Sequence, residues 1–493
     1  MFQANFPAVE FHHKLPNPLN IINRCLISIQ ILNIWLFIVF LATPGLFIYV
    51  ALRNSLPFSS YRTTGVSVRV QKIAGEDETI AQPLYTEECP YGRVYVHDLP
   101  PAFNEDLLVY NCSDLDPWNW VCGIAVDGGY GRRATELSRI LPEDLADLWH
   151  RTNQFSLELI FHRRILHYAC RTADHRSAAA FYIPFYAGLA VGKHLRSVDP
   201  SVRDSDCRSM IRWIMSQKHW NDYLYGVDHF TAIGRITWDF RRMTEPEQKW
   251  GSAFLNMPEM KKIRRLIIEK AWDDDYDVGA PYPTGFHPTT GKDLHRWMAF
   301  ARDYNRSTLS TFIAGVHGAS SQGFRTVLHD YCRNESSGSC RLVDCNPVQC
   351  STDTSLVIQP LLESEFCLEP LGDGFTGRTV FECMIAGSIP VFFWKGSSFD
   401  QYSGFWPADP ESFSVFIEPD VIRNGSSSIK QELVKYRKEI TQKREKVIEA
   451  IPRIIYGNPK MGLLDFRDAF DFAVDRVLES IKKEKQSLNL LML

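Results

Sequence analysis

The residues best suited to chemistry lie between Phe366 and Trp394. An apolar run leads into Pro370-Leu371-Gly372-Asp373-Gly374, and Thr376-Gly377-Arg378-Thr379 opens a helical pattern. Glycines let a backbone approach a ligand closely. The first amides of a helix, joined by the guanidinium of Arg378, make a pocket for a diphosphate. Glu382 falls one helical turn beyond Arg378 on the same face, where a carboxylate can accept hydrogen bonds from ribose hydroxyls. The plainer reading is an ordinary strand-to-helix turn with Arg378 and Glu382 as a surface i,i+4 pair. The segment matches neither the G-x-G-x-x-G fingerprint nor a P-loop.

Metal chemistry has less support. Three Asp-x-Asp patterns occur, at Asp114-Asp116, Asp204-Asp206 and Asp273-Asp275. The third follows Leu266-Ile267-Ile268, but that stretch has helical periodicity and basic flanks, so it reads as a solvated turn. Cys332, Cys340, Cys345 and Cys350, with His329 nearby, raise the question of zinc. Their spacing holds no C-x-x-C pair, and the group reads as disulfide-bonded. No metal site is expected.

These motifs need elements to position them. Val94-Tyr95-Val96 reads as a short strand, Asn153 to Tyr168 as an amphipathic helix, and Ala179 to Pro184 and Phe230 to Ile236 as strands. In the second half, Ser310 to Val316 is a strand, followed by a His317-Gly318-Ala319-Ser320 loop and a helix towards Cys332. Ser364 to Leu368, the glycine loop, Arg378 to Ala386 and Ile389 to Phe393 form a compact βαβ crossover. Lys430 to Ile451 reads as one amphipathic helix that stops at Pro452. Strand, loop, helix and strand in alternation predict an α/β fold with parallel sheets, in two domains that meet near Asn305. Ligands bind such sheets outside the carboxyl ends of the strands.

Composition is that of a globular chain. Of 493 residues, 45% are hydrophobic and 23% charged, and 54 basic against 58 acidic side chains give a net charge of −4. Without a basic surplus to neutralise a run of phosphates, no nucleic-acid partner is expected. Aromatics make up 13%, which suits stacking on sugars and equally suits a large aromatic core. No charged residue occurs from Cys25 to Leu52. As a helix, Leu32 to Leu52 reaches about 31 Å, enough to cross a bilayer. The length before this run and the lack of a small-residue cleavage site favour an uncleaved signal anchor. The expected organisation is a cytoplasmic tail (1–24), an anchor (25–52), a stem (53–88), domains at 89–305 and 306–475, and a tail (476–493). Eleven of the 12 cysteines follow the anchor, as do sequons at Asn111, Asn305, Asn334 and Asn424. Together they favour a lumenal catalytic part. An odd cysteine count leaves a free thiol there, and Cys383, inside an apolar helical pattern, is the expected one.

The Phe366-Cys367-Leu368 strand, Gly372-Asp373, the Arg-led helix and Ala386-Gly387-Ser388-Ile389-Pro390-Val391-Phe392-Phe393 resemble the exostosin-type glycosyltransferases, in particular their plant xyloglucan galactosyltransferase branch. So do Tyr95 to Asn104, Thr152-Asn153-Gln154-Phe155, Ile183 to Leu189, Asp228-His229-Phe230, Gly234 to Arg242 and Gly279 to Pro288. The resemblance runs from about Cys89 to Asp475. It implies two facing Rossmann-like domains of GT-B type, with the acceptor glycan on the first and a nucleoside-diphosphate sugar on the second. By position, Gly372, Asp373, Arg378 and Glu382 fall on the donor motif. The chain departs from the pattern at Gly377, where relatives often carry a second arginine, and at Glu382, where they often carry Asp.

The resemblance also implies inversion at the anomeric carbon. Such a transfer needs one base for the acceptor hydroxyl and a group to stabilise the leaving diphosphate. Asp228 with His229, and His97 with Asp98, are the candidate bases; capping or turn residues are the plainer reading of each. The expected function is transfer of galactose from UDP-galactose to xylosyl side chains of xyloglucan by a single-pass Golgi membrane enzyme, without a metal cofactor. UDP-galacturonic acid and UDP-arabinose are alternative donors, and other glycosyltransferases are candidate partners. The alternative from another class is a catalytically silent glycan-binding scaffold.

Overall fold

A computed structural model describes residues 89–116, 121–218, 220, 226–243, 250–313, 323–335, 337–345, 350, 353–372, 374–398, 401–459 and 464–491. The expected tail, anchor and stem over 1–88 lie outside these residues. No helix among the described residues is long and apolar enough to cross a membrane. All the described residues fall within one compact unit, Ala81–Leu493.

In chain order the strands are β1 (Arg93–Val96), β2 (Arg132–Arg133), β3 (His150–Arg151), β4 (Arg171–Thr172), β5 (Ala178–Ile183), β6 (His229–Ile233), β7 (Arg264–Ile267), β8 (Asp277–Gly279), β9 (Thr308–Ile313), β10 (Cys340–Val343), β11 (Ser364–Glu369), β12 (Ile389–Phe392) and β13 (Val415–Phe416). The longer helices are α1 (Leu157–Leu166), α2 (Ala187–His194), α3 (Ser205–Ser216), α4 (Gly291–Asp303), α5 (Phe324–Asn334), α6 (Ser355–Leu362), α7 (Arg378–Ile385), α8 (Ile440–Ile454) and α9 (Ala469–Leu491).

Two parallel sheets result, in the order β4-β1-β5-β6-β7-β8 and β10-β9-β11-β12-β13. Parallel strands need crossover connections, so helices cover both faces and the strands read as continuous apolar runs. All five residues of β6 and all four of β12 are buried. In each sheet the first strand in sequence has the second on one side and the third on the other. That reversal opens a crevice at the carboxyl ends, between β1 and β5 in one sheet and between β9 and β11 in the other. The loop holding Gly372 and Gly374 leaves β11 at the second of these crevices.

The chain's last segment departs from the expected tail. Helix α9 lies against the first sheet: Arg264 Nε donates to Ser480 Oγ at 2.8 Å and Lys485 Nζ to the Ala179 carbonyl at 2.9 Å. Just before α9, Asp468 is fully buried and pairs with the buried Arg164 of α1. Arg164 also donates to the Gly457 carbonyl at 3.1 Å, and Asp468 accepts the Gly457 N–H at 2.7 Å.

Other expectations are corrected. Leu266-Ile267-Ile268 forms a strand and its exit, not part of a helix, because the basic residues beside it are neutralised internally. Arg265 is fully buried and donates to Asp277 Oδ1 at 2.7 Å. The segment from Lys430 to Ile451 is two helices, Ile429–Val434 and α8, with Pro452 inside the last turn of α8. Tyr436, between them, packs against the second, smaller core along with Ile440. The cysteines pair as Cys89–Cys170, Cys112–Cys122, Cys332–Cys340, Cys345–Cys350 and Cys367–Cys383. The thiol expected free at Cys383 is therefore bonded; the free cysteine among the described residues is the buried Cys207. Asn111, Asn305, Asn334 and Asn424 are all exposed.

Removing one partner of a buried ion pair strands the other. Asp468→Ala is expected to lower the unfolding free energy by about 3 kcal/mol in urea titration; a loss below about 1 kcal/mol would show that this pair does not fasten the carboxyl terminus.

Candidate active site

The glycine loop is placed by strong local rules. Pro370 ends β11, and Gly377 in extended conformation caps α7, so Arg378 is the first helical residue. Arg378 Nε donates to Glu382 Oε1 at 2.6 Å, and Arg378 Nη1 donates to the Thr152 carbonyl at 2.6 Å. Glu382 is buried. The i,i+4 pair thus exists, but it is not a surface pair: it anchors the arginine across to the first half of the chain. Glu382 spends its carboxylate on Arg378 rather than standing open to a ribose. Asp373 lies outside the described residues, as does the His317-Gly318-Ala319-Ser320 loop.

Three residues that the sequence reading did not single out complete the site. Glu269 follows the carboxyl end of β7 and is fully buried. Its Oε1 accepts the Phe375 N–H at 2.7 Å, and Tyr282 Oη donates to Oε2 at 3.4 Å. A Cβ on Gly374 would lie 2.1 Å from Glu269 Oε2, so a larger residue there would displace this carboxylate. Burial pushes the Glu269 pKa up to about 7, although the Phe375 N–H and Tyr282 hydroxyl favour the charged form. Glu369, at the end of β11, accepts from Thr379 Oγ1 at 2.7 Å; burial, aided by the Glu382 charge, raises it to about 8. Arg325, in the first turn of α5, lies beside the loop: a Cβ on Gly372 would be 3.6 Å from its Nη1. Its buried Nε has no hydrogen-bond partner among the described residues. Arg325 and Arg378 thus stand on helices that follow the adjacent strands β9 and β11, and Arg325 supplies a second guanidinium in a chain that has Gly377 beside Arg378.

Asp228 and His229 do not join this group. His229 opens β6, so the pair sits at the amino end of the strand, about 13 Å of strand away from its carboxyl end. Both are fully buried. His229 Nδ1 and Asp228 Oδ1 are 2.9 Å apart, and Lys485 Nζ of α9 is 3.2 Å from Asp228 Oδ2. The His229 ring stacks on Phe181 and on His97 at 5.0 and 5.2 Å. His97 is therefore buried in an aromatic stack on the sheet face, while its neighbour Asp98 is exposed. One aspartate in each Asp-rich stretch is held by an arginine: Asp116 pairs with Arg235 at 2.5 Å, Asp204 with Arg242 at 2.8 Å, and Asp274, between Asp273 and Asp275, with Arg241 at 2.9 Å. Asp114, Asp273 and Asp275 are exposed. Cys367, Glu369 and Cys383 cluster at metal-ligand spacing, but the two sulfurs are bonded to each other.

Two variants separate the groups. Arg378→Ala is expected to weaken UDP binding by at least about 10-fold by calorimetry, the scale of a lost charge-assisted contact; unchanged affinity would remove Arg378 from the phosphate site. Asp228→Asn is expected to lower the melting temperature while the folded protein keeps its kcat; a folded variant with kcat reduced about 100-fold would return Asp228 to the chemistry.

Residues 88–433 match the Exostosin GT47 domain. Over 402 residues the chain is 46% identical to xyloglucan galactosyltransferase XLT2 of Arabidopsis thaliana, covering 81% of this chain and 77% of that protein. It is 35% identical over 404 residues to xyloglucan galactosyltransferase MUR3 of Arabidopsis thaliana, covering 82% and 64% of the two chains. It is also 35% identical over 398 residues to xyloglucan-specific galacturonosyltransferase 1 of Arabidopsis thaliana, covering 80% and 58%. A glycine loop closed on a glutamate from the other half, with Arg378 crossing back, is thus carried by a chain that belongs to the exostosin GT47 family.

Proposed function

We propose that the protein transfers galactose from UDP-galactose to xylosyl side chains of xyloglucan, with inversion and without a metal. The observation that carries this reading is the Gly372–Arg378 loop held at the carboxyl ends of both sheets, in a chain 46% identical to a xyloglucan galactosyltransferase. The UDP diphosphate is held by Arg378, by Arg325 and by the first amides of α7. The acceptor hydroxyl oxygen attacks the anomeric carbon as the bond from that carbon to the diphosphate oxygen breaks, and UDP leaves with the bonding pair. Glu269 takes the hydroxyl proton. It is the carboxylate of the first half that touches the donor loop, and its pKa of about 7 suits a base at neutral pH. Asp116 and Asp204 are each held by a buried arginine, which supports a metal-independent step; EDTA should leave the rate unchanged. The apolar run at 25–52 supports single-pass anchoring in the Golgi membrane with the catalytic part lumenal, where other glycosyltransferases are candidate partners.

Incubation with xyloglucan oligosaccharides and, separately, UDP-galactose, UDP-galacturonic acid and UDP-arabinose tests the reading by product mass. A hexose gained with UDP-galactose is the expected result. Gain with another donor keeps the mechanism and changes the sugar; no product from a protein that binds UDP would point to another acceptor, and no UDP binding would favour the scaffold.

A base must be deprotonated, so a pKa raised to about 7 gives a kcat/KM that rises with pH through about 7 and then levels. Glu269→Gln is expected to lower kcat at least about 100-fold and abolish that rise, with UDP affinity within about twofold of the original. Weakened UDP binding with kcat intact would assign Glu269 to holding the loop instead.

A further inference from the structure

We infer that Trp238, Phe375 and Trp394 form a stacking platform for the pyranose rings of the neutral glycan acceptor, laid across both halves of the protein beside Glu269. The inference rests on the function proposed above and adds the surface that recognises the acceptor.

The three rings come from three separate segments that meet at one place. Trp238 lies just beyond the carboxyl end of β6, Phe375 is in the glycine loop after β11, and Trp394 follows β12. The Trp238 and Phe375 ring centroids are 5.1 Å apart, and those of Phe375 and Trp394 are 5.5 Å apart. Trp238 is 44% exposed although it is the largest side chain of a turn whose other members are buried. The turn is rigid. Arg235 Nε donates to Asp239 Oδ2 at 2.7 Å, Arg241 Nε donates to Thr237 Oγ1 at 2.8 Å, and the Ser252 N–H donates to the Asp239 carbonyl at 2.8 Å.

A large ring presented to solvent from a fixed turn is suited to binding, because little conformational freedom is lost when a ligand covers it. A neutral glucan offers no charge to pair, so its affinity comes from hydrogen bonds and from its apolar C–H faces laid on aromatic rings. The backbone N–H of Phe375 is the group bound to Glu269, which ties the middle of the platform to the carboxylate proposed to take the acceptor proton. A sugar on the platform is thereby held next to the reacting position. Trp238 comes from the half opposite the diphosphate loop, which favours the acceptor over the nucleobase as its occupant.

The test uses full-length protein in detergent micelles, saturated with UDP, and follows tryptophan fluorescence as xyloglucan oligosaccharide is added. Trp238→Ala is expected to weaken oligosaccharide binding at least about 10-fold and Trp238→Phe about threefold, with UDP affinity within about twofold in both. Unchanged oligosaccharide affinity in Trp238→Ala overturns the platform while leaving the transfer reaction intact. Loss of UDP affinity instead overturns it in favour of nucleobase stacking. If the original protein binds no xyloglucan oligosaccharide, the proposed function fails. Cello- and xylo-oligosaccharides then decide the platform, and binding of neither that depends on Trp238 overturns it.

Discussion

The buried ion pair between Arg164 and Asp468 fastens the segment before α9 to the first sheet's half of the protein, and the geometry of the site follows from that fastening. Arg164 stands on α1 beneath the first sheet, and Asp468 arrives from the second half immediately before α9. A charge pair taken out of water is held only where its remaining hydrogen bonds are met, and here the Gly457 backbone and the Phe470 N–H meet them. Helix α8 packs on α7 and α9 packs on the first sheet. The same strap therefore touches the helix that carries Arg378 and the sheet that carries Glu269.

Two hydrogen bonds that cross between the halves at the site are both to main chain: Arg378 reaches the Thr152 carbonyl, and Glu269 reaches the Phe375 N–H. Main-chain partners fix position whatever side chain stands there. The composition of the site overstates its negative charge. Glu369 lies close to Arg325 and Glu382 to Arg378, with Glu269 on the Phe375 N–H, but burial pushes Glu269 and Glu369 up to about 7 and about 8. Near neutral pH a large share of their negative charge is masked by protons, and the two guanidinium groups dominate. That balance suits a ligand that brings its own negative charges.

The crossover from β11 through α7 to β12 was legible in sequence because apolar runs, glycines and a helical period agreed there. The site partners of its loop were not. Glu269 follows a run flanked by arginines, and Arg264 and Arg265 disguised a buried strand as part of a helix. What reveals the strand is their pairing with Asp277, 12 residues on, and with Glu484, 220 residues on. Asp228 and His229 show the reverse case. Their types suit acid–base work, but a residue that precedes a strand in a parallel sheet sits at the end opposite the ligand crevice. Lysine from α9, which neutralises Asp228, lies more than half the chain away. Arg325 was hidden for a similar reason, since only the adjacency of β9 and β11 brings α5 beside the glycine loop.

The Cys367–Cys383 bond gives the glycine loop a property that neither fold nor charge conveys. The bond joins β11 to α7 across 16 residues, and Gly372, Gly374, Phe375, Arg378 and Glu382 all lie within the span it closes. The segment proposed to hold the nucleotide is thus a covalent ring. It can bulge but cannot peel away from either end, and closing a loop of this size in the unfolded chain is worth about 3 kcal/mol. A chain made in a reducing cytosol would have the same residues but lack this ring. The shape of the loop would then depend on packing alone, so the chemistry of the compartment in which the protein folds becomes part of the geometry of the proposed site.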